Sequence, residues 1–159
     1  MEKFLADSSA TEKLGLLLGR HLKDGDVLCL SGDLGAGKTL LSRGIATSLG
    51  VEPEAVTSPT FAIMNVYEGR ELEVRHFDLY RLNRPEELED IGFYDYISDG
   101  DGLVVIEWAD KFCDCLPDDY ILLDIQRAED VENQRILSFS LRGEALEDVY
   151  KEMEKLCQF

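Results

Sequence analysis

Apolar side chains recur at Leu14, Leu17, Leu18 and Leu22, three and four residues apart, the spacing of one helix face. Ser9 followed by Glu12 matches a capping box, so the pattern predicts an amphipathic helix ending near Lys23-Asp24-Gly25. Val27-Leu28-Cys29-Leu30 is then continuously apolar, the form of a short buried strand. Leu41, Ile45 and Leu49 return to helical spacing, and Gly50 supplies the stop. Phe61 to Tyr67 and Leu72 to Asp78 alternate on either side of Glu68-Gly69-Arg70-Glu71 and predict a β-hairpin. Asn83 to Gly92 reads as a short helix with Pro85 at its opening, acids in the first turns and glycine at its end. After a loop at Ser98-Asp99-Gly100-Asp101-Gly102, Leu103-Val104-Val105-Ile106 forms a second continuous apolar run, closed by Glu107. Such a run fits a parallel strand covered on both faces. Tyr120 to Gln126 and Arg135 to Leu141 alternate again, and Leu146, Val149, Met153 and Leu156 form one stripe of a last helix. The predicted class is α/β, a central mixed sheet with parallel core strands and antiparallel hairpins, flanked by helices.

Length and charge narrow the reading. The chain has 159 residues, enough for one domain spanning 1–159 with a proper core. Its 33 acidic residues against 16 basic ones give a net charge of −17, which works against gripping a phosphate backbone unaided. That charge serves solubility or docking onto a basic partner. Met1-Glu2-Lys3-Phe4 opens no signal-peptide pattern, and no apolar run reaches the length of a membrane span. A cytoplasmic protein is expected. Cys29, Cys113, Cys115 and Cys157 lack paired metal-site spacing, and only His21 and His76 accompany them, so reduced thiols are expected rather than zinc.

Candidate chemistry centres on Ser31 to Thr39, S-G-D-L-G-A-G-K-T, which contains the full G-x-x-x-x-G-K-[ST] phosphate loop between the predicted strand and helix. Glycines permit the positive φ angles that turn successive N–H groups into an anion-binding hollow. The consecutive amides around Gly32, Gly35 and Gly37 thus form a hollow in which a phosphate chain can lie. Lys38 is placed to reach β and γ phosphates, and Thr39 offers a hydroxyl to Mg²⁺. Ala55 to Thr60 is either a proline-fixed turn or a phosphate-sensing loop, with Ser58 and Thr60 as candidate contacts. Asp78, at a strand end, orients an attacking water or supports the metal shell, or else pairs with Arg81 or Arg75. Glu107 either holds Mg²⁺ opposite Thr39 or caps a buried strand. Thr11 reads as a first-turn polar residue. A guanine-specifying N-K-x-D stretch is missing, which disfavours GTP.

Taken together and in order, GDLGAGKT, SPTF at Ser58 to Phe61, HFDLYR at His76 to Arg81 and IEW at Ile106 to Trp108 closely resemble the bacterial TsaE family, the ATPase component for threonylcarbamoyladenosine formation in tRNA. The resemblance runs from about Thr11 to the strand ending near Gln126. It implies that the backbone from Asp33 to Lys38 binds ATP phosphates, that Thr39 and Glu107 ligate Mg²⁺, and that Asp78 is needed for hydrolysis. It further implies that Thr60 belongs to a switch-like loop and that Thr11 lies near the adenine. Leu40 stands where the family usually has a second Thr, and nothing is transferred to the acidic segment after Arg142. TsaD and TsaB are the implied partners, with tRNA met only through their complex. The implied reaction is in-line attack of water on the γ phosphate, the water positioned by Asp78 with Thr60. Arg81 is the nearest arginine-finger guess in cis and a partner could supply one in trans, so slow turnover alone is expected. A non-hydrolysing ATP-dependent switch and a small-molecule kinase are the rival classes.

Overall fold

A computed structural model of the chain describes residues 2–33, 35–57 and 62–156. Seven strands form one sheet: β1 (Glu2–Leu5), β2 (Val27–Ser31), β3 (Met64–Glu68), β4 (Glu73–Asp78), β5 (Leu103–Glu107), β6 (Tyr120–Arg127) and β7 (Arg135–Arg142). Their spatial order is β1-β7-β6-β2-β5-β4-β3. β2 lies parallel to β5 and to β6, and β4 is parallel to β5. The edges are antiparallel: β3 on β4, β7 on β6 and β1 on β7. The mixed sheet with a parallel centre is therefore the architecture that the hydrophobic pattern predicts.

Alternation along the central strands divides the core. Leu28 and Leu30 of β2 join Val105, Leu123 and Ile125 on one face, beneath α1 (Ser8–Gly19), α2 (Lys38–Ser48) and α5 (Glu147–Leu156). Val27 and Cys29 point to the other face with Phe77, Val104 and Ile106, where α3 (Glu86–Asp90) and α4 (Phe93–Ser98) contribute Leu88 and Phe93. A strand covered on both sides has no polar face to show, which is why β2 and β5 read as continuous apolar runs. Helices α1 and α2 pack at very short range, through Gly15, Gly19 and Gly44. Among the described residues, no helix is long and apolar enough to cross a membrane.

Several local expectations shift. Helix α1 is capped by Asp7, whose carboxylate accepts from the Ala10 amide at 2.8 Å, rather than by Ser9. It ends at Gly19, short of Lys23, because His21 and Leu22 turn to tighter bonds onto Leu18 and Gly19 that still leave Leu22 buried. The hairpin's first strand begins at Met64, and Phe61 lies outside the described residues. β1 and α4 were not expected. Four residues show no period, and β1 is held by β7, more than a hundred positions away in the chain. Likewise α4 follows Gly92, which stops α3 as the sequence suggests, its amide donating to the Glu89 carbonyl at 3.1 Å, and at φ 74° also caps the next helix.

Candidate functional site

The site is built where the parallel strands end. Register places Leu30 beside Glu107 and Glu107 beside Asp78, so the last residues of β4 and β5 stand level with each other and with the residue before Ser31, the last of β2. Crevices at the carboxyl ends of parallel strands are where α/β sheets hold ligands. β2 runs into the phosphate loop there. Ser31 Oγ, at the end of β2, donates to Asp124 Oδ1 of β6 at 2.6 Å and ties the loop's origin to the sheet.

Gly32, Gly35 and Gly37 adopt φ of 136°, 77° and 118°. Any other residue at these angles is strained. At Gly32 there is also no room: a Cβ would lie 2.2 Å from the Ile125 carbonyl oxygen of β6. Gly37 caps α2 without any side-chain hydrogen bond, so the first amides of that helix keep their donors directed outward, at the positive end of its dipole. Such a helix start is suited to an anion, although the Ala36 amide is already given to the Asp33 carbonyl at 3.0 Å. Of the predicted amides, those of Asp33, Gly35, Ala36 and Gly37 are described and that of Leu34 lies outside the described residues.

Lys38 is only 6% exposed. Its ammonium donates to the Gly32 and Asp33 carbonyls and lies 3.8 Å from the centre of the Trp108 ring. Burial draws the ammonium below the ordinary lysine range, while Glu107, Asp78, Asp110 and Asp33 push it the other way. Trp108 follows Glu107 directly and takes the left-handed conformation, φ 62° and ψ 31°. A bulky residue there stores about 1–3 kcal/mol of strain. The strain has an evident use, since the ring covers Lys38 and packs 5.0 Å from Tyr80.

Both acids are buried, Asp78 at 3% exposure and Glu107 at 2%. Asp78 Oδ1 accepts from the Tyr80 amide at 2.9 Å. Arg75, offered by the sequence as a plain ion-pair partner for Asp78, is engaged elsewhere, with Glu73 at 2.6 Å and Asp99 at 2.7 Å. Glu107 Oε2 meets His76 Nε2 at 2.6 Å, which leaves Oε1 clear of that bond. A Thr39 hydroxyl and two level carboxylates are hard oxygen donors, the chemistry that Mg²⁺ accepts while keeping several waters. The residues present therefore fit such an ion.

Thr11 is brought to the loop from α1. Its hydroxyl donates back to the Asp7 carbonyl at 3.3 Å, and its methyl lies 3.6 Å from where a Gly37 Cβ would be. It lines a small cavity of about 60 Å³ with Gly37, Leu40, Asn133 and Arg135. Thr60 and the rest of Ser58 to Phe61 lie outside the described residues. Sequence reasoning missed two arginines. A Cβ at Gly35 would lie 2.6 Å from an Arg127 guanidinium nitrogen, and Arg135 Nε donates to the Ala36 carbonyl at 2.8 Å. Both come from the β6–β7 hairpin, where they stand opposite each other. No local signal marks them, because only the strand order carries that hairpin to the loop. His76 joins the site through Glu107 and meets Tyr67 in turn; the only local signal for it is its place two residues before Asp78 on the same strand face.

The family model described as "Threonylcarbamoyl adenosine biosynthesis protein TsaE" matches residues 5–137. The Bacillus subtilis (strain 168) protein named tRNA threonylcarbamoyladenosine biosynthesis protein TsaE is 37% identical over 145 residues, 91% of this chain and 88% of its own. Its namesake from Treponema pallidum (strain Nichols) is 40% identical over 116 residues, 73% of this chain and 84% of its own. The crystal structure of Bacillus subtilis YdiB superposes with a TM-score of 0.79 at 29% identity, covering 98% of this chain and 95% of that one. A match that spans the phosphate loop, both strand-end acids and nearly the whole sheet places this chain in the TsaE family.

Proposed function

We propose that this chain binds Mg²⁺·ATP and hydrolyses it, slowly when alone, as the cytoplasmic ATPase that supports TsaD and TsaB in threonylcarbamoylation of adenosine in tRNA. Relatives named as tRNA threonylcarbamoyladenosine biosynthesis proteins support the process. The observation that carries the chemistry is the level set of Glu107 and Asp78 beside an uncapped helix start bearing Lys38 and Thr39.

In this reading the backbone from Asp33 to Lys38 cradles the phosphates, and the Lys38 side chain swings from its carbonyl contacts to the β and γ oxygens. Fixed donors of this kind stabilise developing charge without reorganising. Thr39 and Glu107 would hold the metal, which when bound would supply neutralisation of phosphate charge. Asp78, fixed by the Tyr80 amide, positions the attacking water together with Thr60. Thr11 and its cavity stand on the nucleoside side of the loop. With a charge of −17 the chain meets tRNA only through its protein partners, and Cys29, Cys113 and Cys115, all free thiols, suit a reducing compartment.

Phosphate release from Mg²⁺·ATP tests the reading, first alone and then with TsaD, TsaB and tRNA. Stimulation by the partners, with a loss of about 10²-fold or more in Lys38→Ala and Asp78→Ala, is expected. Unchanged release in both variants would refute the assignments, and tight nucleotide binding without any release in the full mixture would leave a non-hydrolysing switch.

A further inference from the structure

One hydrogen-bonded path in this molecule is not explained by nucleotide binding itself. The Tyr67 hydroxyl, on β3, holds both polar atoms of the Thr57 backbone: it donates to the carbonyl at 2.9 Å and accepts from the amide at 3.3 Å. Asn65 Nδ2 donates to it at 3.3 Å. The same oxygen lies 3.5 Å from His76 Nδ1, and the other ring nitrogen meets Glu107 Oε2 at 2.6 Å. Tyr67, His76 and Glu107 are 7%, 1% and 2% exposed, so water does not compete for the contacts among these three, while Thr57 at the far end is exposed. The β3–β4 register sets Asn65 against His76, and the β4–β5 register sets His76 against Val105, two residues before Glu107. Three adjacent strands thus carry one line of contacts from Thr57 to the metal-side carboxylate.

A hydroxyl has a single hydrogen. Given to the Thr57 carbonyl, it is withheld from His76; released by Thr57, it has His76 Nδ1 as its next acceptor. The position of Thr57 and the hold on Glu107 therefore share one part. We propose that His76 is a positioning residue for Glu107, and that Tyr67 couples it to the chain at Thr57, so that the segment entering residues 58–61 and the affinity of the site for Mg²⁺ set each other. This rests on the nucleotide-binding reading above. Coupling of this kind is reciprocal: whatever Thr57 does to the metal, the metal does to Thr57.

The test measures equilibrium binding of a fluorescent ADP analogue in EDTA and across a Mg²⁺ titration, with the emission of Trp108, the sole tryptophan, as a second signal beside Glu107. Removing a partner that orients a metal ligand typically costs 10–100-fold in metal affinity. His76→Ala is expected to raise the Mg²⁺ half-point at least about tenfold with metal-free affinity unchanged, and His76→Gln, which restores an N–H donor, to recover most of it. Tyr67→Phe should shift the half-point the same way by a smaller factor, and adding it to His76→Ala should do nothing more, as for two links in one chain. Hydrogen exchange at the Thr57 amide reads the reverse direction: Mg²⁺ added at saturating nucleotide changes its protection in the native chain and leaves it unchanged in Tyr67→Phe. A native Mg²⁺ half-point in Tyr67→Phe and His76→Gln with no deficit in His76→Ala, equal losses with and without Mg²⁺, or additive effects would overturn the coupling while nucleotide binding stands. If the native chain binds no nucleotide in this assay, both the ATPase reading and the coupling fall.

Discussion

Substituting Gly44 by alanine puts two opposing effects in direct competition. Gly44 sits within α2, where alanine gains about 1 kcal/mol of helix propensity over glycine. Against this, its Cβ would lie 2.2 Å from the Glu12 carbonyl oxygen, 2.9 Å from Gly15 Cα and 3.0 Å from the Leu16 nitrogen. All three are backbone atoms of α1, so no rotamer change relieves the clash. Comfortable separations begin near about 3.5 Å, and the helices must part by roughly 1 Å to reach them. Overpacking costs about 1–3 kcal/mol in ordinary cores, and a rigid backbone opponent puts Gly44→Ala at the upper end. The net loss is about 2 kcal/mol. For a chain of this size that is a fall in melting temperature of roughly 4–8 °C, read by calorimetry, with the urea m-value unchanged. Thr11 lies on α1 one turn before Gly15, so nucleotide affinity should weaken too. Gly100→Ala is the control: no atom lies within 4 Å, and only the strain of φ 76° remains, about 1–2 kcal/mol. A Gly44→Ala melting temperature equal to or above the native value would refute the overpacking argument.

Other consequences follow from the charges and thiols. Burial pushes the Cys29 thiol far above the usual range, with Cys113 adding to it, whereas Cys113 is exposed; mass spectrometry after brief alkylation should find Cys113 modified in the native protein and Cys29 only after unfolding. Burial raises the Asp26 carboxyl, against the opposing Lys23 amide at 2.9 Å. The folded state then holds that proton more tightly, so stability falls as pH rises from about 3.9 through the raised value. Asp26→Asn should be more stable than the native chain at neutral pH in urea titrations and lose that advantage in acid below about pH 4. Asp99 has the opposite sign: the bond from Arg75 holds its carboxyl below the ordinary range. Its contribution is present above about 3.9 and is lost as pH falls through the lower folded value, so Asp99→Asn should lower the urea midpoint at pH 7 and converge with the native chain in strong acid.

The sequence by itself determined the parts whose causes are local. A continuous apolar run before G-x-x-x-x-G-K-T declares a buried strand feeding a phosphate loop, because the glycine angles, the helix start and the lysine all lie within nine residues. Asp78 and Glu107 could be marked as strand-end acids for the same reason, and the motifs around them identify the family. Tertiary structure decided what depends on strand order. Register alone sets Asp78 level with Glu107 and turns two distant acids into one site. The β6–β7 hairpin brings Arg127 and Arg135 onto the loop, and adjacency of β3, β4 and β5 joins Thr57, Tyr67, His76 and Glu107 in one line. Periodicity reports which face of a strand is buried; it carries no information about which strand lies next to it, since that is settled by long-range packing of whole faces.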